Sequence, residues 1–275
     1  MTTNEFSWTT KDQLRIYGKE WKVDFPKAVI ALIHGLGEHC NRYSHVAEFF
    51  AQHNIAMVGY DRSGHGQSEG QRGHTKSYEA FLEEVDELLK ITKERYPVSP
   101  VFLYGHSMGG NILLKYLISR KPEVAGAISS GAFIEFPGSP PSVQIFIGKI
   151  VRKIYPSLSQ SNNLSVDHVS SDRSVVEAYK KDPLVHDRLT PATGIGMIEV
   201  AQELEKYSGS LTVPTLIMHG SMDKLTGFDG SQKFAERVSG DVTFKAWEGM
   251  YHEMHNEPGK QAVFAFTLEW IRRYL

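Results

Sequence analysis

The 275-residue chain has a single cysteine, Cys40, and so cannot form an intrachain disulfide. That fits a reducing compartment. No apolar run approaches the ~20 residues of a membrane-crossing helix. Residues 1–8, MTTNEFSW, lack the basic start and apolar stretch of a secretory leader. The expectation is a soluble, cytoplasmic protein. Charge of one sign is also missing: 30 Lys and Arg stand against 32 Asp and Glu, a net charge of -2. Such a balance gives no general pull toward nucleic acid. No P-loop or G-x-G-x-x-G follows an apolar run, so the common nucleotide-binding signatures are excluded. Repeats and low-complexity tracts are lacking too. The 12 histidines come without a cysteine set or a carboxylate-bearing helix pair. His34, His39, His252 and His255 are therefore not read as metal ligands, and no cofactor is expected.

What is present is an ordinary globular mix, 41% hydrophobic and 23% charged, long enough for a large core. Residues 28–34, AVIALIH, form a continuous apolar run typical of a strand covered on both faces. Further strands are expected at residues 14–23, 56–60, 101–104, 124–129, 215–219 and 243–247. Helical patterns occupy residues 43–53, 78–96, 111–119, 230–238 and 261–274. This alternation predicts an α/β fold, with a mostly parallel sheet and helices on both faces. The alternation breaks after Pro137, Pro140 and Pro141, where an apolar helix-like run, SVQIFIGKIVRKIY, begins at Ser142. Residues 137–208 are assigned as a helical cap, inserted before the strand at 215–219; residues 1–136 and 209–275 are assigned as the core domain. Open α/β sheets bind ligands at the carboxyl ends of their strands, where such a cap would sit.

The segment GHSMG, Gly105 to Gly109, lies between a predicted strand and a predicted helix. In G-x-S-x-G the turn is so tight that its middle residue takes strained backbone geometry, and side chains two positions away would collide. Ser107 is thereby lifted beside a helix N-terminus, whose N–H groups favour negative charge. A serine hydroxyl is a poor nucleophile near neutral pH and needs a general base. The order expected after such a serine is an acid, then a histidine. Asp223 follows the strand end at MHG, and His252 lies just past the last strand. Asp223 is assigned as the acid and His252 as the base. His255 is the runner-up base, and otherwise a wall of the substrate pocket; Glu135 is a rival acid. An oxyanion needs N–H donors. They are assigned to Met108, which follows the serine, and to Leu36, in the HGLGEH loop after the 28–34 strand.

Six segments together, HGLGEHCNRY, YDRSGHGQSEGQRGH, VFLYGHSMGGN, KKDPLV, VPTLIMHGSMDKLT and AWEGMYHEMHNE, resemble monoacylglycerol lipases and related lysophospholipases of the α/β-hydrolase fold. The resemblance implies Ser107, Asp223 and His252 as a catalytic triad, and Leu36 and Met108 as oxyanion donors. It also implies a polar pocket for a glycerol head near Glu38, Arg42, His106 and Tyr179. A monoacyl lipid ester is then the expected substrate, cleaved by a serine hydrolase. A lysophospholipase or a general carboxylesterase or thioesterase would use the same triad. A non-catalytic receptor that kept the fold is the reading from another class. The run at 142–155 has one apolar face with Lys149, Arg152 and Lys153 among it. It is expected either to touch a lipid interface or to pack on the core.

Overall fold

The computed structural model describes residues 1–138 and 142–275. Its centre is an eight-stranded sheet. The strands are β1 (Thr2–Thr9), β2 (Arg15–Lys22), β3 (Ala28–Ile33), β4 (Ile55–Tyr60), β5 (Val101–His106) and β6 (Gly126–Ser130). A short pair, β7 (Gln160–Ser161) and β8 (Arg188–Leu189), forms outside it. β9 (Thr215–Gly220) and β10 (Val242–Trp247) complete the main sheet. Its order is β1-β2-β4-β3-β5-β6-β9-β10, with β1 and β2 antiparallel and the strands from β4 to β10 parallel.

Alternation along each central strand divides two cores. Val29, Ala31 and Ile33 of β3 face one, with Leu103 of β5. Ala28, Ile30 and Leu32 face the other, with Phe102 and Tyr104. Helices α2 (Tyr78–Arg95), α3 (Met108–Arg120) and α7 (Phe228–Arg237) cover the first face. Helices α1 (Ser44–Ala51) and α8 (Lys260–Arg272) cover the second. Each fully buried Leu, Ile or Phe adds about 1.5–3 kcal/mol of hydrophobic stabilisation. The all-apolar strands that the sequence predicted are all found here, because only a two-sided cover makes such runs soluble.

Several elements differ from expectation, among them the short β7–β8 pair, which was not predicted. β1 was not predicted. Its TTNEFSWT sequence is mostly exposed and it pairs only with β2, so it has little apolar signature. Helix α3 starts at Met108, not Asn111. Gly109 and Gly110 are poor helix formers, but the turn before them is a single residue, so the helix begins at once.

Between β6 and β9 lie α4 (Ser142–Ile154), α5 (Arg173–Lys181) and α6 (Pro191–Leu204). Pro140 and Pro141, read above as opening the cap, lie outside the described residues. Met197, Val200, Ala201 and Leu204 of α6 join the first core. α4 sits on α6 through its Gly148, where an added Cβ would come 2.9 Å from Ile195 Cδ1. The outer face of α4 carries Val143, Phe146, Ile147, Ile150 and Ile154, all exposed. No helix among the described residues is long and apolar enough to cross a membrane.

The chain passes from β3 to β4 on one side and later to β5 on the other. This reversal opens a crevice at the carboxyl ends of β3 and β5. The loops leaving these two strands carry Leu36 and Ser107.

Candidate active site

Strand β5 ends at His106 and α3 starts at Met108, so Ser107 makes the whole reversal alone, at φ 56° and ψ -118°. Residues rarely hold this geometry without support. Here Ser107 N–H donates to Ser130 O at 2.9 Å, while Ser107 O accepts from Asn111 N at 3.0 Å. A Cβ on Gly105 would strike the carbonyl of Gly109, and one on Gly109 would strike the carbonyl of Ile33. The two glycines are therefore steric necessities, and the fully buried Met108 presents its N–H at the first position of α3.

The Leu36 N–H belongs to the peptide unit whose carbonyl is Gly35 O. His34 Nδ1 donates to that carbonyl at 2.8 Å, and Arg62 N–H donates to His34 Nε2 at 3.0 Å. Gly35 N–H donates to Glu38 Oε1 at 2.5 Å. In a trans peptide N–H and C=O point opposite ways, so these bonds aim the Leu36 N–H away from His34. Gly35 is next to the serine: an added Cβ would sit 3.2 Å from Ser107 Cβ.

Asp223 is in the loop after β9, and His252 is in the loop between β10 and α8. His252 Nδ1 donates to Asp223 Oδ2 at 2.7 Å, with both side chains buried. Asp223 Oδ1 accepts the N–H groups of Leu225 at 2.7 Å and Thr226 at 3.1 Å. Burial opposes the Asp223 charge, but the facing His252 and His219 outweigh it and hold the carboxyl well below its ordinary range. For His252, burial opposes protonation, but Asp223 prevails and raises its pKa.

The sequence reading missed His219 and Thr226. His219 Nε2 is 3.0 Å from Asp223 Oδ2, and its Nδ1 is 2.7 Å from Ser231 Oγ. Thr226 Oγ1 lies 2.8 Å from the same carboxylate oxygen. A histidine near the end of the strand, four residues before Asp223, was the available signal. The rival acid Glu135 lies elsewhere, 3.4 Å from Lys233 Nζ at the surface.

A cavity of about 300 Å³ lies between the ends of the sheet strands and the segment that joins β6 to β9, lined by Leu36, Glu38, His106, Ser107, Tyr179 and His252, among others. Its apolar side carries Leu164, Val166, Val169, Val185 and Leu225. Burial foremost pushes His106 down to about 3, so the ring is neutral and donates from Nδ1 to Ser130 O at 3.1 Å.

Two expected pocket residues do not line this cavity. Arg42 is spent on carboxylates: Nη1 donates to Glu38 Oε2 at 2.6 Å and to Glu253 Oε1 at 2.7 Å, and Nη2 donates to Glu253 Oε2 at 2.6 Å. The Tyr179 ring covers the guanidinium at 4.5 Å. His255 is fully buried behind His106, stacked on Tyr43 at 4.6 Å between ring centres. Glu253, which does line the cavity, was also missed. Its partner Arg42 is 211 positions away in the chain.

The segment between β6 and β9 is tied to this floor. His186 N–H donates to Gly37 O at 2.9 Å, Glu253 N–H donates to Val169 O at 2.7 Å, and His39 Nε2 meets Asp182 Oδ2 at 2.9 Å. Among the described residues no group of three or more His, Cys, Asp or Glu side chains could hold a metal ion.

A serine at a one-residue strand-to-helix turn, over a parallel sheet of this order and near an Asp–His pair, defines an α/β-hydrolase. The family described as serine aminopeptidase, S33, matches residues 24–259. A monoacylglycerol lipase of Mycolicibacterium smegmatis is 35% identical over 278 residues, covering 100% of this chain and 99% of that protein. An abhydrolase domain-containing protein of Dictyostelium discoideum is 36% identical over 277 residues, which is 99% of this chain; the chain spans 29% of that protein's length. Among solved structures, a monoacylglycerol lipase of Paleococcus ferrophilus superposes with a TM-score of 0.85 at 27% identity, covering 100% of both chains. The chain belongs to this serine-hydrolase family, as a monoacylglycerol lipase-like α/β-hydrolase acting on carboxylic esters.

Proposed function

We propose that the protein cleaves monoacylglycerols to fatty acid and glycerol through an acyl-enzyme on Ser107. The observation that carries this reading is the 2.7 Å bond from His252 Nδ1 to Asp223, beneath a cavity that both Ser107 and His252 line. A carboxylate only accepts, so Nδ1 keeps its proton and Nε2 is the basic nitrogen. It takes the Ser107 proton as Oγ attacks the ester carbonyl. The Leu36 and Met108 N–H groups hold the oxyanion, each worth about 10²- to 10³-fold. Collapse breaks the ester C–O bond, and His252 returns the proton to the departing glycerol oxygen. Water then attacks the acyl-serine with His252 as base. Glu38 and Tyr179 accept or donate to the glycerol hydroxyls, and the apolar cavity wall takes the acyl chain.

The reading includes a cytoplasmic protein that works at a lipid surface. Support comes from α4, whose exposed Val143, Phe146, Ile147, Ile150 and Ile154 run along one face beside Lys149 and Lys153. That face would rest in the interface while the cap stays tied to the core.

The test is turnover of a panel of monoacylglycerols, lysophosphatidylcholines, acyl-CoAs and diacylglycerols, with a fluorophosphonate probe for Ser107. Monoacylglycerols turned over fastest is the expected result. Faster lysophospholipid turnover would replace the substrate, and no labelling of Ser107 would favour a non-catalytic receptor.

A further inference from the structure

The wall of the cavity is unevenly charged. Four carboxylates line it, those of Glu38, Asp182, Asp187 and Glu253, against one ammonium, Lys180. Lys180 Nζ is already 3.1 Å from Asp167 Oδ1 and 3.6 Å from Glu177 Oε1. Two further lining residues are histidines kept neutral chiefly by burial, His106 pushed down to about 3 and His186 to about 4. Behind the wall, Arg42 is the cation that a phosphate group would seek. Both of its terminal nitrogens instead donate to Glu38 and Glu253, at 2.6 to 2.7 Å, and Tyr179 covers its face. Asn256 Nδ2 adds a donor to Glu253 Oε2 at 2.8 Å, holding that carboxylate in place. The buried cluster Glu38–Arg42–Glu253 thus carries one net negative charge.

Resting on the acyl-ester reading above, we infer that Glu253 is a specificity-determining residue: with Glu38 it neutralises Arg42 and makes the alcohol subsite reject esters with an anionic head group. An uncharged polyol can hydrogen-bond to carboxylates. A phosphomonoester would bring a like charge against two of them in a desolvated site, and such juxtapositions are strongly unfavourable. The position is chosen well for this task. Glu253 lines the same cavity as Ser107 and His252, the residues at which the proposed mechanism releases the alcohol. The same field favours the His252 imidazolium that forms when Ser107 loses its proton.

The experiment compares three monomeric esters, below their micelle concentrations: 1-octanoylglycerol, octanoyl-glycerophosphocholine and octanoyl-glycerol-3-phosphate. The parent is expected to favour the neutral ester over the anionic one by about 100-fold in kcat/KM. Glu253→Gln keeps an acceptor for Arg42 but removes the charge, and should narrow that ratio by about 10-fold. Raising salt from low to high should speed the parent's anionic-ester reaction several-fold and leave the neutral one unmoved, because kcat/KM includes the approach of the anion through solvent, where salt screens the repulsion. That arm needs no variant, and decides the matter if Glu253→Gln does not fold. Equal turnover of neutral and anionic esters by the parent overturns the inference alone, as does a ratio that Glu253→Gln and salt both leave unchanged. Turnover of none of the three removes the monoacylglycerol reading, and the inference with it.

Discussion

His219 Nε2 lies 3.0 Å from Asp223 Oδ2, the same carboxylate oxygen that accepts from His252 at 2.7 Å. The Asp223 carboxylate is therefore held by an imidazole on each side. Ser231 Oγ, 2.7 Å from His219 Nδ1, orients the second ring. A hydrogen bond to a charged group is worth about 1.5–3 kcal/mol. His219→Ala should lower kcat on p-nitrophenyl butyrate by about 10-fold, with KM nearly unchanged. Unchanged kcat would leave His219 a packing residue only.

In the proposed mechanism His252 is the base and must be unprotonated, and Asp223 raises its pKa in spite of burial. The rate should therefore rise with pH through a value above the ordinary ~6.5 of histidine. Asp223→Asn should move that midpoint down and reduce kcat by about 10⁴-fold. Stability follows the same signs. The depressed Asp223 contributes stability above its unfolded value of ~3.9, lost as pH falls through its folded value. The raised His252 contributes stability below ~6.5, lost as pH rises through its folded value. The Tm gap between parent and Asp223→Asn should thus be widest near pH ~5 and narrow on both sides.

Ser107→Ala should abolish ester turnover and fluorophosphonate labelling while circular dichroism stays native. More than a few per cent residual rate would reject Ser107 as nucleophile. Ser107→Gly should do the same and melt higher, since glycine relieves the strain at φ 56°. A relief of ~1 kcal/mol corresponds to a Tm rise of about 2–4 °C in a chain of this size.

Gly109 separates two effects of opposite sign. In an ordinary helix, Gly→Ala gains up to ~1 kcal/mol. Here the new Cβ would collide with the Ile33 carbonyl on β3. Gly109→Ala should therefore destabilise by about 3 kcal/mol or more, read as a lower urea midpoint. A gain would mean that α3 can move off the sheet.

Phe146 and Ile150 are exposed on the outer face of α4. Phe146→Glu with Ile150→Glu should cut partitioning onto lipid vesicles by about 10-fold or more, because each side chain would bury about 1.5–3 kcal/mol of apolar surface. Turnover of a water-soluble ester should be retained. Vesicle binding as strong as the parent's would assign the face another purpose.

Much of the molecule was legible where the physics is local. AVIALI reads as a buried strand because no other setting hides six apolar residues in a row. GHSMG reads as a strained turn because only glycine tolerates the contacts at Gly105 and Gly109. Asp223 and His252 followed from chain order, and the structure brings them within one hydrogen bond. β1 was illegible because an exposed edge strand needs no apolar face.

The sequence by itself determined the strand and helix pattern and the serine turn, which depend on residues a few positions apart, and the chain order in which Asp223 and His252 follow Ser107. Only the tertiary structure decided which charges meet in and behind the cavity wall. Arg42 and Glu253 are 211 positions apart, and nothing local marks their pairing. Folding brings the β3 and β10 loops to the same end of the sheet, and there a desolvated guanidinium must find carboxylates. The same holds for α4: periodicity makes it amphipathic, but its packing on α6 alone turns the apolar face outward.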